Sequence, residues 1–138
     1  MFRRGGRVRS VRPGGHEAAL ALALTEPVTN ALAGARLREL GRSAALGQEF
    51  SLVGEEQRPE GLLWHGVNLA PISATDHALE ELGRHQASRP RRSSSVVGDR
   101  GAVEILWRSL AEPWGADVRE YRWSQPLQIG RASCRERV

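Results

Sequence analysis

One cysteine, no lysine and no long apolar run mark this chain of 138 residues. The cysteine, Cys134, lies among the last ten residues, and residues 1–128 carry none. Those residues therefore hold no disulfide, no zinc–thiolate site and no cysteine nucleophile. A thiol-free body fits a reducing compartment, which points to the cytoplasm. No stretch approaches the roughly 18 apolar residues needed to span a bilayer, so no membrane partner is expected. Ala18–Leu24 follows a basic stretch as a signal-peptide core would. His16 and Glu17 stand at its entrance, however, and the run is seven residues long, at the bottom of the usual range. It reads as helix. All 20 basic residues are arginine, and their scatter points to the codon bias of a GC-rich genome rather than to a phosphate-reading stripe.

The last ten residues, Ile-Gly-Arg-Ala-Ser-Cys-Arg-Glu-Arg-Val, resemble a widely used short-read sequencing adapter translated in frame. The expectation is that 129–138 is a non-native, adapter-encoded tail, and that the chain is the N-terminal portion of something longer. Such a tail is set aside from fold reasoning. Charge then reads differently. Arg131, Arg135 and Arg137 against Glu136 give the tail +2, and five arginines without an acid give the first twelve residues +5. Of the formal +4, residues 13–128 thus carry −3. A nucleic-acid reader usually presents a basic face on its folded domain, so no nucleic-acid partner is expected.

Residues 1–6 are basic and glycine-containing and are expected to be disordered; residues 7–128 form one domain with a modest core. Arg7–Arg12 allows a short edge strand. Pro13-Gly14-Gly15 is a turn and His16–Thr25 a short helix. A second helix is expected with Pro27 in its first turn, Val28, Leu32 and Ala35 on its apolar stripe, and Gly41 as its stop. Phe50–Val53 and Leu62–Trp64 are strands of a hairpin with polar loop 54–61. Val67–Ile72 is a third strand, pushed toward an edge or bulge by Pro71.

Thr75 is expected to cap a helix from Asp76 to about Ala87. Ser93–Val97 is a strand, and Asp99 is expected to cap the most amphipathic helix, with Val103, Leu106, Trp107 and Leu110 on one stripe and Pro113 and Gly115 closing it. Asp117–Trp123 is a final strand. Adjacent strands followed by strand–helix alternation imply an α/β, or α+β layered, domain with a mixed, largely antiparallel sheet and packed helices.

Motifs for chemistry are absent from this order. His16, His65, His77 and His85 include no pair with the helical zinc spacing, and no carboxylate is expected in register between His77 and His85. They read as surface or structural histidines. Ser93-Ser94-Ser95 lacks a nucleophile elbow and reads as small strand residues packed under a helix. Gly98-Asp99-Arg100-Gly101 could meet a phosphate at a helix start, but the Asp99 charge favours a cap. Arg89-Pro90-Arg91-Arg92 reads as an inter-element loop. Trp64, Trp107, Trp114 and Trp123 read as core or rim. No catalytic, cofactor-binding or metal residue is assigned.

Several segments nevertheless share a pattern. Gly66-Val67-Asn68-Leu69-Ala70-Pro71-Ile72 with Thr75 is similar to "GANLVPV…AT", and 91–98 (RRSSSVVG) is similar to "RRCSSIVG". Leu106-Trp107 with 110–115 (LAEPWG) resembles "LW…LEPAWG"; Val118-Arg119-Glu120 with Gln125-Pro126-Leu127, and Glu26-Pro27-Val28-Thr29-Asn30, add two more. Together, from about Val8 to Gln128, they resemble the N-terminal domain of unknown function of actinobacterial GNAT-family N-acetyltransferases. That resemblance implies a GNAT-like half: strand, two helices, three antiparallel strands, helix, strand, helix, strand. It also implies a C-terminal acetyltransferase domain as partner, and acetyl-CoA as cofactor of the parent protein, which moves an acetyl group onto an amine.

In a working GNAT domain a glycine-containing loop after the fourth strand holds the cofactor pyrophosphate. The equivalent here, Pro71-Ile72-Ser73-Ala74-Thr75-Asp76-His77, has no glycine and places Asp76 at the helix start. The expectation is a truncated, non-catalytic domain with no cofactor of its own. The alternative is a stand-alone ligand- or protein-binding module without enzymatic activity.

Overall fold

Apolar side chains on both faces of the central strands dictate a sheet covered twice. The computed structural model describes residues 8–40, 43–119 and 121. Its elements run β1 Val8–Ser10, α1 His16–Ala23, α2 Ala31–Leu40, β2 Phe50–Glu55, β3 Arg58–His65, β4 Asn68–Ile72, α3 Asp76–Ala87, β5 Ser95–Val96 and α4 Arg100–Trp114. Short 3-10 segments at Pro13–Gly15, Ala44–Glu49 and Gly115–Asp117 join or end them. The sheet order is β1-β2-β3-β4-β5; the first four strands pair antiparallel, and β5 lies parallel to β4 after the α3 crossover. This is the expected mixed, largely antiparallel α/β architecture.

Side chains alternate along each strand, and the alternation divides the core. Phe50, Leu52, Leu62 and Ile72 join Ala19 and Ala23 of α1 and Ala33, Leu37 and Leu40 of α2. Val53, Leu63 and Leu69 join Ala78 and Leu82 of α3 and Leu106, Leu110 and Trp114 of α4. Each strand thus feeds two layers of helix, which explains why β2 is buried from Phe50 to Val53.

Several boundaries differ from the sequence expectation. Residues 54–61 do not form a long loop: the strands continue to Glu55 and resume at Arg58, leaving Glu56-Gln57 as the turn, with a register shift at Val53/Gly54. The polar residues form the solvated end of the hairpin, where Arg12 pairs with Glu56 at 2.7 Å. Helix α2 begins at Ala31, four residues after Pro27, and its buried stripe is Ala33, Leu37 and Leu40. Val28, Leu32 and Ala35 face solvent, Leu32 being 77% exposed. Both triplets obey the same helical period, so periodicity alone could not choose between them. Gly41 lies outside the described residues.

Helix α1 ends at Ala23, and Thr25 instead hydrogen-bonds the Leu22 carbonyl at 2.6 Å. Strand β5 shrinks to Ser95–Val96 and pairs β4 at Asn68 and Leu69, so Pro71 meets no strand on that side. Helix α4 runs through Pro113 to Trp114, so the proline expected to close the helix sits in its last turn instead. Asp117 lies in a 3-10 turn, and Val118, Arg119 and Tyr121 are in no strand. The rest of the expected Asp117–Trp123 strand lies outside the described residues, as do 1–6 and the 129–138 tail.

Candidate functional site

The β4–α3 junction is the place where a strand meets a helix N-terminus at the parallel edge of the sheet. Ligands of open α/β sheets commonly bind outside such carboxyl ends. Here the junction is filled by the protein's own groups. Ser73 has φ of 47°, the one positive-φ non-glycine among the described residues. Its hydroxyl accepts from Asn30 Nδ2 at 3.0 Å, lies 3.2 Å from Thr25 Oγ1, and donates toward Glu26 Oε1 at 3.5 Å. Asn30 is buried, and the same amide nitrogen donates to the Ala23 carbonyl at 3.0 Å. The α1–α2 connection is thereby clasped onto the turn.

Thr75 follows as the expected N-cap, its hydroxyl accepting from Ala78 N at 3.1 Å, while its carbonyl accepts from Leu79 N at 2.9 Å. Its own N–H donates to the Glu60 carbonyl at 3.1 Å. An anion cradle at a helix start relies on unspent amides and close backbone approach. Thr75 has taken one of those donors, and the adjoining Asp76 carboxylate repels an anion.

Beside the junction, Pro71 near the end of β4 packs toward Gly98, two residues beyond β5. Gly98 has φ of 154°, and a Cβ there would come within 3.3 Å of the Pro71 ring and 3.4 Å of Val103. Glycine at this position lets the ring sit against the strand end. On the other side, Gly61 abuts Ala74 closely enough that a Cβ would lie 2.4 Å from the Ala74 methyl.

A second polar group gathers at the opposite end of the sheet. On the α1–α2 face, Glu49 receives Arg36 through two bonds, Nε to Oε1 at 3.0 Å and Nη2 to Oε2 at 2.8 Å, together with Trp64 Nε1 at 3.3 Å. Trp64 stacks on Phe50 with centroids 5.7 Å apart. The Arg36 hydrogen bond, chiefly, holds the Glu49 carboxyl below the usual range. On the α3–α4 face, Ser51 Oγ lies 2.9 Å from His65 Nε2. At the end of α3, Arg89 Nη1 donates to His85 Nε2 at 3.3 Å. Burial, followed by Arg89, pushes His85 down; His65 is pushed down chiefly by burial, then by Arg89 and His85.

The sequence reading passed over the Arg36–Glu49 and Ser51–His65 pairs because neither is local. With β3 expected to stop at Trp64, His65 fell outside the hairpin. The Phe50↔Trp64 register is what sets His65 near Ser51.

The remaining candidates resolve individually. His16 Nδ1 lies 2.7 Å from the Pro13 carbonyl. His77 corrects the expectation that no carboxylate stands in register with it: Glu81 is one turn on, midway to His85, and their side chains meet at 2.7 Å. Among the described residues, no three His, Cys, Asp or Glu side chains are grouped to hold a metal.

The serine triplet ties β5 and its approach to β4: Ser93 Oγ donates to the Gly66 carbonyl at 2.9 Å, Ser94 Oγ to the Val67 carbonyl at 3.3 Å, and Ser95 Oγ to Asn68 Oδ1 at 2.5 Å. Asp99 occupies the N-cap position of α4, yet its side chain makes no capping bond; its backbone carbonyl accepts from Val103 N at 2.9 Å. In the 89–92 loop, Arg91 donates to the Ser93 carbonyl at 3.0 Å and approaches Asp117 at 3.8 Å. Trp114 is buried and Trp107 meets Tyr121 edge-on at 6.0 Å. Trp123 lies outside the described residues.

No helix among the described residues is long and apolar enough to cross a membrane. No curated protein and no solved structure matches the chain. A family model matches residues 47–135, from the turn before β2 through α4 and beyond Gln128. With that match spanning more than half its length, the chain belongs to the family described as a domain of unknown function, DUF4081.

Proposed function

We propose that this chain is the non-catalytic N-terminal half of a GNAT-type N-acetyltransferase of the cytoplasm, packing against a C-terminal domain that carries out acetyl transfer from acetyl-CoA to an amine. The observation that carries the reading is the β4–α3 junction. The element order from β1 to α4 and the antiparallel-then-parallel sheet are compatible with the GNAT-like half that the resemblance implies, while the turn that would hold a pyrophosphate is glycine-free and clasped by Asn30 onto Ser73. Thr75 takes an amide there, and Pro71 packs toward Gly98 beside it. Exposed Val28 and Leu32, at 55% and 77%, suit a half that meets another surface.

Calorimetry of the chain with acetyl-CoA tests the non-catalytic assignment. No heat of binding is expected up to millimolar ligand; micromolar affinity would overturn it. The partnership is tested by reading the genomic DNA beyond codon 128. An in-frame stretch on the order of a domain length with a glycine-rich loop after its own fourth strand supports it, whereas a stop codon there refutes it.

A further inference from the structure

We draw no further inference here: the strongest candidate, the exposed apolar patch of Leu24, Val28 and Leu32 along the α1–α2 connection and the start of α2, carries nothing because nothing in the structure shows what covers it.

Discussion

Replacing Gly61 by alanine probes the contact that positions the β4–α3 junction. An added methyl would stand 2.4 Å from Ala74 Cβ, 2.7 Å from Ala74 Cα and 3.1 Å from Ala78 Cβ. Carbon atoms pack best at about 3.5–4.0 Å, so β3 and the junction must part by about 1 Å. The obstacle is partly backbone and cannot rotate away. Separation also strains the bond from Thr75 N to the Glu60 carbonyl, one residue from the substitution. Overpacking typically costs about 1–3 kcal/mol and a lost backbone hydrogen bond about 1 kcal/mol more. Gly61→Ala should therefore destabilise the chain by about 2–4 kcal/mol and lower Tm by roughly 10 °C.

Gly115→Ala supplies the internal control. Gly115 has helical φ and ψ of −61° and −33°, and a Cβ there meets nothing within 4 Å. Alanine should stabilise it by about 0.4–1 kcal/mol through the unfolded state. Thermal and urea melts followed by far-UV circular dichroism measure both. A Gly61→Ala chain melting within about 2 °C of the parent, alongside a stabilised Gly115→Ala, would mean that β3 does not lie against Ala74.

Asn30→Ala removes both bonds of a buried amide and should cost about 1–3 kcal/mol in urea melts, whereas a Thr29→Ala change at the adjoining exposed position should cost under about 0.5 kcal/mol. Ser73→Gly should be more stable than Ser73→Ala by about 1 kcal/mol, because both lose the hydroxyl but only glycine relaxes the left-handed backbone; equal melts would remove the strain argument. His65 and His85 titrate lower folded than unfolded. The unfolded chain therefore binds more protons around pH 6.5 and below, and stability should fall as pH drops through that region. His65→Gln with His85→Gln should flatten this limb. Glu49 is also lowered, so its contribution is present above the ordinary glutamate range and is lost as pH falls through its folded value; Glu49→Gln should remove that more acidic limb.

Local chemistry made α3 legible from sequence. Thr75 followed by an amphipathic run gave both its cap and its end at Ala87. The layered mixed sheet was legible too, because β2, β3 and β4 are short apolar runs and the later strand and helix alternate. What periodicity could not decide was which of two equivalent stripes on α2 turns inward. Leu37 and Leu40 reach the sheet and Leu32 does not, a choice made by the sheet and not by the helix. The polar pairs were illegible for a related reason. Arg36 with Glu49 and Ser51 with His65 are 13 and 14 residues apart, and their meeting depends on strand register. The bulge at Val53/Gly54 shifts that register and leaves no composition signal beyond a glycine. Ser73 was read for what its segment lacks, and the clasp that replaces the glycine came from Asn30, 43 residues earlier.

Residues 13–128 carry a net −3, which opposes a long phosphate backbone that must lie against many surface charges at once. The start of α3 opposes an anion locally as well. Thr75 has taken one of the helix amides that would cradle it, and the Asp76 carboxylate stands beside the rest. Net charge and local geometry therefore act in the same direction at this junction, and acetyl-CoA calorimetry measures the local one.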